Sequence, residues 1–390
     1  MIKRTLTCGI DVGTHTTRIV VAEQEKDKSY PSIIATTYAD SNGMRLGYIT
    51  NPQSVISSIK KAVTDAEKIT KSKIKKGYIS IGGIGMEAII ATGQAITSKA
   101  DKEVTTLDVN KALAESEEHI PLSNKKILHI IPIAYKLDGK EIHGRPEGMY
   151  GVKLEVKSIF ITITKQHLED LINAVTEAGV EVIDVSAGIL SEASILLTEK
   201  QKTAGCAIVN IGTEVTTIAV FENNVLISMQ TFHIGGMDIT KDIALGFKIS
   251  LEEAEGIKTG TLMTELPKKK IDEIIEARLS DVFELVENHL KKIKRNGLLP
   301  AGIILTGGSA NIQNIENVAK NALKLPVRVG PVDASAISKY KIRDNTWYTA
   351  ISLTLFSTSM RINGTLENVL GDNAKQVKSF FKSLLSQLLP

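Results

Sequence analysis

The chain has 390 residues, 43% hydrophobic and 23% charged, with a formal net charge of +3; at roughly 150 residues per domain that length implies two or three domains with a real core. The small net charge gives no argument for nucleic acid as a partner, and no apolar run is long enough to span a bilayer. Two cysteines, Cys8 and Cys206, each lie in a strand-like run and read as core residues of a reducing, cytoplasmic protein, and the opening residues do not read as a signal peptide.

In chain order, residues 6–12 and 16–23 read as strands joined by a Gly13-Thr14 turn, with a third strand over 32–38. Val55, Ile56, Ile59, Val63, Ala66 and Ile69 recur at helical spacing over 52–69, behind Asn51 as cap and Pro52 as first helical residue. A short strand over 78–81 ends at Gly82-Gly83. From 84 to 165 the texture changes: short strands over 87–92, 127–135 and 154–164, a polar helix over 107–119 and a Gly-rich loop over 139–151 read as an inserted subdomain. A helix over 166–178, a strand over 180–185 and a helix over 188–197 lead to a hairpin from Cys206 to Val220. There follow a strand over 226–233, helices over 238–245, 251–258 and 270–294, a strand over 302–305 and a helix running to Leu323. Strands and helices alternating, with Gly turns at strand ends, mean an α/β architecture.

One device occurs twice. Aligning the two hairpins sets Asp11 on Asn210, Gly13 on Gly212, Thr14 on Thr213, Thr17 on Thr216 and Ile19 on Ile218. Either block alone reads as well as an ordinary hairpin. Two such turns facing each other can hold a polyphosphate, because a glycine turn exposes its backbone N–H groups. Thr306-Gly307-Gly308-Ser309 and His233-Ile234-Gly235-Gly236 add two strand–Gly-Gly–helix elements, each expected to set bare backbone at a helix N-terminus. Glu255 and Lys258 share a helical face at i, i+3, which in isolation is a solvated ion pair.

Together these pieces resemble the actin, Hsp70 and sugar-kinase superfamily, and within it the FtsA family of bacterial actin homologues, over nearly the whole chain. The family resemblance is carried by His129-Ile130-Ile131-Pro132, by residues 148–152, by Leu196-Leu197-Thr198-Glu199, by residues 239–244, by Ala254-Glu255-Gly256-Ile257-Lys258 and by residues 299–308. It implies duplicated actin-like (ribonuclease H-like) domains: subdomain 1A over 1–83, 166–198 and approximately 336–362; an inserted 1C over 84–165; 2A over 199–220 and 300–335; 2B over 221–299; a linker over 363–374; and a membrane-targeting helix over 375–390. By the same resemblance ATP and Mg²⁺ lie between the halves. Gly13, Thr14 and His15 belong to the first phosphate hairpin and Gly212, Thr213 and Glu214 to the second. Gly235 and Gly236 approach the phosphates, Gly307, Gly308 and Ser309 form the adenosine motif, Glu255 reaches the ribose and Lys258 the base.

The second hairpin departs from the family, which reads Asp-Ile-Gly-Gly-Gly-Thr there. Here it reads Asn210-Ile211-Gly212-Thr213-Glu214-Val215, so the usual carboxylate beside the hydrated metal is missing and Asp11 remains, acting through water. The expectation is ATP binding with weak or absent hydrolysis, and no catalytic residue is assigned.

At the end of the chain Val377, Phe380, Phe381, Leu384, Leu385, Leu388 and Leu389 fill about half of a helix, with Lys378 and Lys382 at the polar border. A last helix docked on the core would show the same pattern, but the polar connector over 363–374, the lysines and the adjacent Phe380 and Phe381 favour a membrane-surface helix, each lysine expected to add about 1 kcal/mol against an anionic leaflet. The resemblance implies a polymerising adaptor that anchors the FtsZ ring at the division site, on the cytoplasmic face of the membrane. Its partners would be the FtsZ C-terminal peptide at 2B, other copies of itself, anionic lipid and other divisome proteins. The alternatives are a PilM-type membrane adaptor and a sugar-kinase-like enzyme.

Overall fold

The computed structural model describes residues 5–24, 31–331, 342 and 344–362. In the first domain β1 (Thr5–Val12), β2 (Thr16–Gln24) and β3 (Ser32–Asp40) form an antiparallel meander. The small pair β4 (Met44–Arg45) and β5 (Tyr48–Ile49) follows, then α1 (Pro52–Thr70) and β6 (Lys76–Ile81), which lies parallel beside β1. Asn51 caps α1 by accepting from the Ser54 N–H at 3.2 Å. Ile69, placed on the apolar stripe by spacing, is exposed; Thr70 takes the buried position and returns its hydroxyl to the Ala66 carbonyl at 2.9 Å.

The inserted block is a separate antiparallel sheet with its own core. It holds β7 (Glu87–Ile96), α2 (Thr106–Glu118), β8 (Lys125–Leu137), β9 (Lys140–Ile142) and β10 (Lys153–Thr164), in sheet order β7-β10-β8-β9. Val104, Val109, Leu113, Leu154 and Val156 fill the space under α2. Gly93 lets the helix lie against the sheet, since a Cβ there would stand 2.0 Å from the Ala112 carbonyl oxygen. The stretch read as a Gly-rich loop contains β9. Asp138 and Gly139 both have positive φ, 51° and 79°, as a two-residue hairpin turn of the favoured hand requires.

The chain then completes the first sheet with α3 (Lys165–Glu177) and β11 (Glu181–Ala187) and crosses over through α4 (Gly188–Leu196) and α5 (Glu199–Ala204). The second domain repeats the plan. β12 (Cys206–Ile211), β13 (Thr216–Glu222) and β14 (Val225–Phe232) form a meander. The helices α6 (Gly236–Phe247), α7 (Leu251–Thr259) and α8 (Lys268–Lys292) intervene. β15 (Ile303–Thr306) then pairs parallel with β12, and α9 (Ile315–Leu323) leads to β16 (Val327–Val329). The two sheet orders, β3-β2-β1-β6-β11 and β14-β13-β12-β15-β16, are one topology used twice. The helix expected directly after Gly307-Gly308 begins later: residues Gly308–Asn311 form a 3₁₀ turn, and Asn314, at φ 65°, breaks the path before α9.

Finally α10 (Tyr348–Ile362) returns to the first domain and packs on α4 and β1. A Cβ on Gly9 would stand 2.3 Å from the Ala350 carbonyl oxygen, so β1 and α10 meet only because that residue has none. β12 is buried on both faces. Cys206 and Ile208 share a core with the first domain, whereas Ala207 and Val209 pack towards α8 and α9, which is why this strand reads as an unbroken apolar run. Among the described residues no helix is long and apolar enough to cross a membrane. The linker, and the terminal helix with Val377, Lys378, Phe380, Phe381, Lys382, Leu384, Leu385, Leu388 and Leu389, lie outside the described residues.

Candidate functional site

The two hairpin turns close with the same bond. The Gly13 N–H donates to the Thr16 carbonyl at 3.2 Å, and the Gly212 N–H to the Val215 carbonyl at 2.9 Å. In the second domain three glycine-bearing loops converge. The Gly236 N–H donates to the Gly212 carbonyl at 2.9 Å and the Met237 N–H to the Thr213 carbonyl at 2.7 Å, so the first turn of α6 is stitched to the second hairpin. The Ser309 hydroxyl donates to the Gly212 carbonyl at 3.3 Å. A Cβ on Gly235 would stand 2.7 Å from the Thr213 carbonyl, and one on Gly236 2.2 Å from Ser309 Oγ. These contacts hold only while the loops carry no side chains.

Lys258 lies beside this junction. Its ammonium donates to the Gly236 carbonyl at 2.9 Å, to Thr240 Oγ1 at 2.8 Å and to Glu255 Oε2 at 2.7 Å. Its side chain is only 8% exposed, and burial pushes its pKa down against the opposing pull of Glu255. The pair read in isolation as a solvated bridge is therefore a buried tie between α6 and α7. A cavity of about 770 Å³ opens next to it, lined by Ile257, Lys258, Gly260, Asn311, Ile312 and Gln313 among others.

A second cavity, of about 160 Å³, lies between the domains and takes in Asp11, Gly13, Thr14, Ser80, Asn210 and Thr349. Gly212 and Gly307 do not line it; the second domain reaches it through Asn210, Val215 and Thr217. Asp11 accepts from the Ser80 hydroxyl at 2.6 Å, and burial pushes its carboxyl up while Ser80 and Arg18 pull it down. His15 is exposed and Gly308 likewise, whereas Gly235, Gly236, Gly307 and Ser309 are buried.

Two features escaped the sequence reading. Glu214 does not face its own turn: its Oε2 accepts from the Leu46 N–H, between β4 and β5, and so clasps the second hairpin to the first domain. Glu192, inside α4, is fully buried at the junction, where Oε1 accepts from Asn210 Nδ2 at 2.8 Å and from Thr349 Oγ1. Burial pushes its carboxyl up to about 7. A Glu in the middle of an apolar helix was the available signal.

The donor set fits a nucleotide: three glycine turns meet beside the buried Lys258 and a cavity of about 770 Å³. For a divalent cation it offers one carboxylate, Asp11, with the neutral oxygens of Ser80, Asn210 and Thr349 around one cavity. That set fits hydrated Mg²⁺ held through water, and among the described residues no group of three His, Cys, Asp or Glu side chains converges to hold a metal directly.

Comparison with known proteins agrees with this architecture. The profile of the family described as Cell division protein FtsA matches residues 207–352, and that of the SHS2 domain inserted in FTSA matches 87–162. The chain is 29% identical over 378 residues to Cell division protein FtsA of Bacillus subtilis (strain 168), covering 91% of this chain and 84% of that protein. It is 27% identical over 395 residues to Cell division protein FtsA of Escherichia coli (strain K12), covering 93% of each. Among solved structures it superposes on the PilM-PilN type IV pilus biogenesis complex with a TM-score of 0.67 at 16% identity, over 90% of this chain and 98% of the other. MreB5 of Spiroplasma citri bound to ADP gives a TM-score of 0.54 at 13% identity, over 92% and 98%. These two likenesses concern the fold, which is the two-domain actin-like one. With two FtsA profiles covering more than half of its length and FtsA relatives along nearly all of it, the chain belongs to the FtsA family of cell division proteins.

Proposed function

We propose that this chain binds ATP with Mg²⁺ between its two domains, polymerises, and tethers the FtsZ ring to the cytoplasmic face of the membrane at the division site. The observation that carries the nucleotide reading is the convergence of Gly212, Gly235, Gly236 and Ser309 on one point next to Lys258. The glycine turns of both domains would supply backbone N–H groups to phosphate oxygens. Ser309 and Lys258 would flank the nucleoside, with the base in the cavity beside Ile257 and Ile312. Asp11 would hold the water shell of Mg²⁺, whose chemistry when bound is to neutralise phosphate charge. Asn210 brings no carboxylate of its own, so hydrolysis is weak or absent in this reading.

The remaining elements follow the FtsA pattern. Residues 375–390 would lie in an anionic leaflet, subdomain 2B (residues 221–299) would take the FtsZ C-terminal peptide, and copies of the chain would stack into filaments that other divisome proteins join. The test has two arms. Gly236→Val drives a side chain into Ser309 and should abolish ATP binding measured by calorimetry while the variant still melts cooperatively. Deleting residues 375–390 should leave ATP binding intact and release the protein, with FtsZ, from sedimenting anionic liposomes. Full-strength ATP binding by Gly236→Val would overturn the nucleotide reading, and unchanged co-sedimentation the membrane one.

A further inference from the structure

Asn210 stands where the family has a carboxylate, and what surrounds it explains how an amide serves there. A carboxamide can turn over, presenting either its oxygen or its NH₂ to a given side. Here the choice is made from below. Glu192 Oε1 takes the Asn210 Nδ2–H at 2.8 Å, within a site that is 0% exposed at Glu192. With Nδ2 so engaged, Oδ1 faces the glycine turns: a Cβ built on Gly307 would stand 2.6 Å from it, and one on Gly212 4.0 Å. Turning the amide over would set two acceptor oxygens against each other inside the protein, which is costly. Glu192 is itself held by Thr349 from α10, so the arrangement spans α4, β12 and α10. Its other oxygen, Oε2, is buried without a hydrogen bond, and so is Thr306 Oγ1 nearby.

We propose that Glu192 is the positioning residue of the cation site: by engaging the Asn210 amide N–H it fixes Oδ1 as the acceptor of a residue that both lines the Asp11 cavity and adjoins the Gly307 turn, where a water of a hydrated Mg²⁺ can donate to it. The inference rests on the nucleotide reading of the cleft. When the carboxyl carries its proton on Oε2, Oε1 still accepts from Asn210, so the orientation is kept in that state as in the ionised one. An Asp at 210 would place two carboxylates in contact, so the Asn and the Glu are complementary.

The test is the gain in ATP affinity on passing from EDTA to Mg²⁺, measured by calorimetry on the full chain. Wild type should gain tenfold or more. Glu192→Gln keeps an acceptor for Asn210 and should stay within twofold of that gain. Glu192→Met has none, so its gain should fall below threefold while affinity in EDTA stays within twofold. Adding Asn210→Asp to Glu192→Met should restore the gain, because both oxygens of Asp accept and neither needs orienting. A structural role alone would lower affinity equally with and without Mg²⁺ and would show no rescue. A full Mg²⁺ gain in Glu192→Met, or none recovered in the double variant, overturns the inference alone. No ATP binding by wild type in either buffer overturns it together with the nucleotide reading. Stability provides a check that does not depend on Glu192→Met folding: at one pH, Glu192→Gln should raise the melting temperature of Asn210→Asp by more than it raises that of wild type, and an equal rise in the two backgrounds would overturn the complementarity.

Discussion

Replacing Glu192 by Gln, in EDTA and without nucleotide, isolates the energetic cost of a buried carboxylate at the domain junction. Its pKa is pushed from 4.5 up to about 7, chiefly by removal from water. A folded-state pKa above the unfolded one means that the folded chain holds the extra proton between those values. The group's contribution to stability is therefore fully present below pH 4.5 and is lost as pH rises through 7. The rise of about 2.5, at about 1.36 kcal/mol each, amounts to about 3 kcal/mol by pH 8. Gln does not titrate, yet its Oε1 can accept from Asn210 and Thr349, and its NH₂ has Thr306 Oγ1 to donate to. The variant should match wild type within about 1 kcal/mol near pH 5 and exceed it by about 2–3 kcal/mol at pH 8. Urea unfolding at the two pH values, compared at constant m, measures this directly. A wild-type-minus-variant difference that does not change with pH would refute the reasoning.

Other consequences are as direct. Glu214→Ala removes the acceptor of the Leu46 N–H, so amide exchange in residues 44–49 should speed up tenfold or more; unchanged protection there would mean that the clasp does not form in solution. His129 is pushed down to about 4 by burial, so its contribution to stability is present above pH 6.5 and is lost as pH falls towards 4. His129→Leu should accordingly cost about 1–3 kcal/mol at neutral pH, through the unpaired Ala187 N–H, and progressively less relative to wild type in acid melts. Phe283→Ala, at a fully buried position of α8, should cost about 3–5 kcal/mol in denaturant titrations.

The fold was legible where local chemistry repeats. The Gly13 and Gly212 turns close with the same bond, and the alignment made from residue types alone sets Asp11 and Asn210 at matching strand ends, one residue from the last β1–β2 and β12–β13 pairs. The inserted sheet announced itself by its own run of strands. Less legible were elements too short to show a period, such as β4, β5 and β16, and the β9 hairpin, whose Asp138-Gly139 signal lay inside a longer Gly-rich stretch. At the site, Gly235 and Gly236 could be singled out in advance because close backbone approach leaves few other residues possible. The engagements of Glu214 and Glu192 could not, because each reaches a partner set by tertiary contact: Leu46 lies 168 residues from Glu214, and Thr349 lies 157 from Glu192. The helix expected after Gly307-Gly308 ends at Leu323 as read but starts late for a local reason, the left-handed Asn314.

The His129 contact ties two distant jobs together. His129 sits on β8 of the inserted sheet, and its Nε2 receives the Ala187 N–H at 3.0 Å, at the residue that caps α4. Glu192 is the fifth residue of α4. The inserted sheet is thus bonded directly to the start of the helix whose carboxylate meets Asn210. Insert and domain junction are therefore linked through five residues, about one and a half turns of one helix.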